Sequence, residues 1–226
     1  MSPYPAEDAV FRQSILDALE LADALFRGLD SQRCLALCRE NLELHFGTAS
    51  NQAAHLTDPL VALQALLPRP EDAAAVAEFC DTIQTDFVRL FVNDKAGVAA
   101  PPYESLYPSD EHVHASRMMG PPALAMQKRL AEAGLERAVS SNEPADHLCI
   151  QLEYLYYQLS RGWNDADMTA LQAAASFARG TMLPWFGRFR RSLAAADDKG
   201  FYTVAADLLL NVLRVVAAQD SNSSDR

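Results

Sequence analysis

The chain has 226 residues, half of them hydrophobic, with only 9 Gly, 12 Pro and 4 Cys. That composition supports a sizeable core and argues against disorder, a disulfide scaffold or a turn-rich β fold. A formal charge of −11 disfavours nucleic-acid phosphates and anionic membranes as partners and favours basic ones.

Taken in chain order, the apolar residues recur at helical spacing. Glu7 to Arg27 reads as a first helix, with Val10, Ile15, Leu19, Ala22 and Phe26 as its stripe and Gly28 as its stop. A second follows Asp30 or Ser31 and carries Leu35, Cys38, Leu42 and Phe46; residues 47–57 read as a loop. Thr57 or Asp58 caps a short helix from Pro59 to about Leu67, and Pro68-Arg69-Pro70 breaks it. Glu71 to Val92 reads as a long helix with Val76, Phe79, Ile83, Phe87, Leu90 and Phe91 on its apolar side.

A Pro- and Gly-containing loop covers residues 93–110, and a helical stretch runs from Ser109 or Asp110 to Met119. Gly120-Pro121-Pro122 interrupts it and starts a helix that runs to Ala133 and stops at Gly134. Glu143 to Ser160 has Leu148, Leu152, Leu155 and Leu159 in register, Asn142 as cap and Pro144 in its first turn. Asp167 to Arg179 follows. Pro184 interrupts or restarts it, and Trp185, Phe186 and Phe189 continue the apolar face to Ala195. Lys199 to Ala218 is the last helix. The expectation is an all-α, single-domain bundle of about seven to ten helices over residues 1–220, with a disordered polar tail at 221–226.

No apolar run approaches the roughly 20 residues that span a bilayer. The start, Met1-Ser2-Pro3-Tyr4-Pro5, lacks the basic head of a secretory signal, so a cytoplasmic location without integral membrane association is expected. Cys34 and Cys38 share a helix face, Cys80 and Cys149 stand apart, and free buried thiols are expected. His112 and His114, two residues apart, do not share a helix face, and His45 and His55 flank a polar loop. Neither a nucleotide- or nucleophile-type loop nor an HExxH pair occurs. No cofactor, no stoichiometric metal and no catalytic residue are expected.

Two segments carry more. The first is Phe87-Val88-Arg89-Leu90-Phe91-Val92-Asn93 followed by Pro101-Pro102-Tyr103-Glu104-Ser105-Leu106-Tyr107. The second is Glu143-Pro144-Ala145-Asp146-His147-Leu148, then Gln151-Leu152-Glu153-Tyr154-Leu155. Together, in this order, they resemble the TorD/DmsD/NarJ family of redox-enzyme maturation chaperones. Met119-Gly120-Pro121-Pro122 through Leu135, and Leu183-Pro184-Trp185-Phe186 to Phe189, are similar to further family segments. Phe87 and Tyr103 stand where some members have Trp, which leaves the client reductase open.

The resemblance implies a non-enzymatic chaperone. It would bind the twin-arginine signal peptide and apo catalytic subunit of a molybdoenzyme of the DMSO/TMAO-reductase type, and hold it for cofactor insertion before export. It implies a monomer or a helix-swapped dimer. On that resemblance, the peptide site is expected to comprise Phe87, Leu90, Phe91, Pro102, Tyr103, Glu104, Tyr107, Gly120, Glu143, Pro144, Asp146 and His147. Asp146 and His147 are expected in an exposed first helical turn. Two other readings stay open: a helical adaptor binding a folded partner, and a metal-dependent helical-bundle enzyme. The second would need converging ligands such as Glu-x-x-His pairs on two helices, which the sequence lacks.

Overall fold

Capping and punctuation residues divide the chain into helices where apolar periodicity calls for them. The computed structural model describes residues 6–42, 54–93, 97–108, 119–136 and 143–219. The helices are α1 (Ala6–Arg27), α2 (Ser31–Arg39), α3 (Ala54–Leu66), α4 (Ala73–Phe87), α5 (Pro121–Glu132), α6 (Leu148–Asn164), α7 (Met168–Phe177), α8 (Leu183–Ala196) and α9 (Phe201–Ala218). No strand occurs among the described residues, and one isolated antiparallel bridge joins Tyr103 and His147. The all-α expectation holds.

Aspartates do most of the capping. The Asp30, Asp72 and Asp167 carboxylates accept from the backbone N–H groups of Arg33, Ala75 and Thr169, which would otherwise be orphaned in a first turn. Gly28 ends the approach to α2 at φ +94, and Gly134 follows α5 at φ +71, both left-handed conformations that favour glycine. Two helices close with a wider turn: Val88–Val92 after α4 and Ala178–Met182 after α7 are π-helical. The second lies just ahead of Pro184, whose missing N–H the wider turn accommodates.

The expectations shift at one helix face and three helix boundaries. The inward face of α2 is Cys34, Leu37 and Cys38, while Leu35 is 39% exposed. Helix α2 ends at Arg39, so Leu42 is buried outside it. Helix α3 begins before Pro59 rather than at it. Helix α6 starts at Leu148, five residues later than expected, because the preceding segment is engaged in loop pairing described below. The loop at 47–53, the stretch at 109–118, Asn142 as a cap, Phe46, His45, His112, His114 and the tail beyond 219 lie outside the described residues.

The residues form two compact units. One comprises residues 1–100 and 192–212, the other residues 101–191 and 213–226. In the first, an aromatic cluster forms the heart of the core. Phe91 meets Phe26 edge-on at 5.8 Å and Tyr202 at 5.0 Å, and Phe87 lies 5.4 Å from Phe91. Each such pair adds roughly 0.5–1.5 kcal/mol beyond area burial. Tyr202 is fully buried and its hydroxyl donates to the Ile83 carbonyl at 3.2 Å. In the second unit, α6 packs on α7. A Cβ at Gly162 would meet the Leu171 side chain at 2.5 Å, so a larger residue would force Leu171 to shift. Trp185, Phe186 and Phe189 fill that unit's core alongside Leu148, Leu152 and Leu155.

Helix α9, with mean hydropathy 1.6, is the one helix among the described residues long and apolar enough to cross a membrane. Tyr202, Ala206, Leu209, Leu213 and Val216 are fully buried at alternating spacings of four and three. That stripe is the pattern of a core helix.

Candidate functional site

The second unit contains a polar seam in which the loop at 101–107 is bound to the segment leading into α6. Backbone bonds set its register. The N–H of Leu148 donates to the Pro102 carbonyl at 2.8 Å, Tyr103 bridges His147, and the N–H of Glu104 donates to the Asp146 carbonyl at 3.2 Å. A single turn of 3₁₀ helix, Glu104–Leu106, follows.

Side chains complete the seam. Asp146 is fully buried, and its Oδ2 accepts from the N–H of Ser105 at 2.9 Å. Its Oδ1 and the Ser105 hydroxyl are buried without a hydrogen-bond partner among the described residues. Such atoms mark a place where a polar group from outside would be stabilised. The expectation of an exposed Asp146 in a helical turn is therefore corrected. It precedes the helix and faces inward, because its carboxylate and carbonyl together hold the 3₁₀ turn.

His147 is the N-cap of α6; its Nδ1 accepts from the N–H of Cys149 at 3.1 Å, which puts the ring hydrogen on Nε2. The Tyr103 ring stands edge-on to that imidazole at 5.0 Å, and its hydroxyl donates to Glu143 at 2.6 Å. Burial first, and then the Glu143 carboxylate, hold the Tyr103 phenol above its ordinary range, so it remains a neutral donor. Glu143 itself is exposed and Pro144 half-buried, and both lie in the loop rather than in a helix.

A second arm runs inward. Trp185 Nε1 can only donate, and it reaches Gln151 Oε1 at 3.0 Å. That fixes the amide orientation, and Gln151 Nε2 donates to Glu104 at 2.5 Å. Gln151 is fully buried. Burial pushes the Glu104 carboxyl up to about 7, and the Asp146 charge adds to that rise; the Gln151 donor and Arg129 act the other way. Tyr107 stacks on Trp185 at 5.8 Å, and Arg188 donates to the Tyr107 carbonyl at 3.3 Å.

Of the expected site residues, Pro102, Tyr103, Glu104, Glu143, Pro144, Asp146 and His147 are brought together in this seam. Tyr107 is attached to it through Trp185. Gly120 belongs to the same unit as the N-cap of α5. Phe87, Leu90 and Phe91 belong to the other unit. Leu90 is fully buried and Phe91 is 6% exposed, so in this conformation both are core side chains rather than a lining for a peptide. Ser105, Gln151 and Trp185 were not expected in the seam. Gln151 had a signal: a polar residue on the buried Leu148–Leu152–Leu155 face requires a satisfied partner.

The seam is a loop-to-helix junction that can take a polar group from outside at its buried oxygens. The family described as nitrate reductase delta subunit matches residues 51–191. The chain is 32% identical over 141 residues to "Chaperone protein TorD" of Photobacterium profundum, covering 60% of this chain and 62% of that one. It is 31% identical over 166 residues to the protein of that name from Vibrio cholerae, covering 71% and 68%. The Salmonella paratyphi B protein of that name is 29% identical over 199 residues, covering 86% and 85%. The chain belongs to this family, the TorD/NarJ group of chaperones.

Proposed function

We propose that the chain is a cytoplasmic, system-specific chaperone, without enzymatic activity, for a molybdoenzyme. It binds the twin-arginine signal peptide of the apo catalytic subunit and holds that subunit until its cofactor is inserted. The family and the shared name of its relatives support the chaperone role. The observation that carries the peptide reading is the seam. It offers an exposed Glu143 carboxylate, a half-buried Glu104 carboxyl, the neutral Tyr103 donor and a buried oxygen of Asp146 that has no partner among the described residues, within one loop-to-helix junction.

Guanidinium groups recognise that set, because planar donors pair with carboxylates in two-pronged fashion. The net charge of −11 steers a cationic segment toward the chain, and the half-buried Tyr103 ring offers an apolar contact beside it. The peptide contact is assigned to the second unit alone.

Calorimetric titration of a synthetic twin-arginine leader tests the reading. The chain should bind it, and Glu143→Gln should weaken binding about tenfold, the effect of losing on the order of 1.4 kcal/mol. A leader with both arginines replaced by glutamine should bind more weakly still. Equal binding of both leaders, or no binding of either, overturns the reading.

A further inference from the structure

The first unit holds a group of side chains that the peptide reading does not use. Cys34 and Cys38, four residues apart on α2, share the face that packs on α4, where Cys80 stands. The three thiols are 0%, 2% and 5% exposed, and their sulfur atoms all lie within 4.8 Å of one another. No disulfide joins them. Among the described residues no histidine or carboxylate completes the group. From the spacing alone, Cys34 and Cys38 form no site; the helix from forty residues further on supplies the third sulfur.

We infer that this cluster is a binding site for a trivalent, three-coordinate thiophilic centre, with trivalent arsenic, entering as arsenous acid, as the chemical class that fits. Geometry gives the first reason. Trivalent arsenic keeps a lone pair and is pyramidal, so bonds of about 2.3 Å, the length thiolates make to zinc, set its three sulfurs roughly 3.5 Å apart. The cluster's sulfurs, all within 4.8 Å of one another, stand close to that spacing before any ligand enters.

Coordination gives the second reason. Zinc in a closed protein site takes four ligands, and the described residues supply three. Charge gives the third. Three thiolates around a monovalent copper ion carry two net negative charges, and around zinc one, in a site nearly sealed from water. A trivalent centre leaves none, so it avoids the cost of a buried unpaired charge.

The exchange balances without an oxidant. Three As–S bonds form, three As–O and three S–H bonds break, and the thiol protons leave with the hydroxyls as three waters. Arsenic stays trivalent throughout. Arsenous acid is uncharged at neutral pH, so it enters an apolar site without desolvating an ion. Burial holds the Cys34 thiol above its ordinary range and pushes Cys38 up to about 11, so the unliganded cluster is protonated, the form this exchange consumes.

The test uses the full, reduced chain in oxygen-free buffer with arsenous acid as the probe. Native mass spectrometry should show one arsenic gained and three hydrogens lost per chain. X-ray absorption at the arsenic edge should show three sulfur neighbours and no oxygen. Cys34→Ser, Cys38→Ser and Cys80→Ser should each weaken binding on the order of a hundredfold, the loss of one tethered ligand. Cys149→Ser, a buried thiol outside the cluster, should leave binding unchanged.

Parallel titrations with zinc and with monovalent copper separate the charge argument from mere thiol affinity. The inference is overturned by an oxygen in the arsenic shell, by no adduct on the folded chain, by an adduct that survives all three variants, or by tighter zinc or copper binding. Where a serine variant loses its helical circular dichroism, the absorption spectrum of the parent chain decides.

Discussion

The Phe87–Phe91 stretch and the Glu143–His147 stretch both stand out in the sequence as motifs, yet the structure uses them differently. In the first, side chains meet side chains: Phe91 lies among Phe26, Phe87 and Tyr202, and almost none of it reaches solvent. In the second, the chain holds another stretch of chain through backbone bonds and one buried carboxylate, and leaves polar atoms without partners among the described residues. An aromatic run on a helix serves packing first, and a polar run at a helix start is where capacity for a ligand remains.

Truncating the packed motif should have the largest effect. Phe91→Ala removes a ring with aromatic neighbours on several sides, and should cost about 3–5 kcal/mol in chemical denaturation. If Phe91 instead contacts the leader, the loss will appear in peptide titration at nearly unchanged stability, and the contrast between the two motifs fails.

Asp146 gives a smaller and more discriminating effect. Asp146→Ala removes the acceptor for the Ser105 N–H inside a buried junction and should destabilise the chain by about 1.5–3 kcal/mol. Asp146→Asn keeps an oxygen for that N–H and should cost less, while losing the charge offered to a guanidinium. Asn that restores stability without restoring leader affinity would separate the residue's two roles. Asn that restores both would make Asp146 purely structural.

Gly162→Ala tests the apolar side of the same unit. Its Cβ would meet Leu171 at 2.5 Å, so a cost of about 1–3 kcal/mol is expected from overpacking, with leader binding unchanged. Thermal melts together with titration check both halves.

Most of the helices were legible because their signals are local. The Asp30 start, the Gly28 and Gly134 stops and the Leu148–Leu152–Leu155–Leu159 stripe depend on residues within a turn or two, whereas Asp72 and Asp167 cap helices that were read as already begun. The start of α6 was misplaced because Glu143 to His147 is held by a partner forty residues away, and helical propensity is overridden by that pairing. The same distance hid Cys80 from Cys34 and Trp185 from Gln151. Family resemblance named Pro102, Tyr103, Glu104, Glu143, Pro144, Asp146 and His147 and missed Ser105, Gln151 and Trp185; the burial and partners of all of them were not legible, since neither follows from spacing along one chain segment.

The response to pH separates the seam from the packed core. Glu104 has a folded-state pKa of about 7, above its ordinary value of 4.5 because burial disfavours the carboxylate. Between those two values the unfolded chain has released the proton and the folded chain retains it. The folded state therefore binds more protons, and this group's contribution to stability falls as pH rises from 4.5 to 7, then levels off. Glu104→Gln preserves an acceptor for Gln151 and removes the titration. The stability of parent minus variant, measured by denaturation at a series of pH values, should therefore decline across that window and flatten above it. Leader binding should run the opposite way. An arginine needs the ionised carboxylate, so affinity of the parent should rise as pH passes through about 7, with proton release on binding, and Glu104→Gln should lose that rise. A flat difference in stability would mean that Glu104 is hydrated in solution. A pH-independent affinity would place the arginines on Glu143 and Asp146 without it.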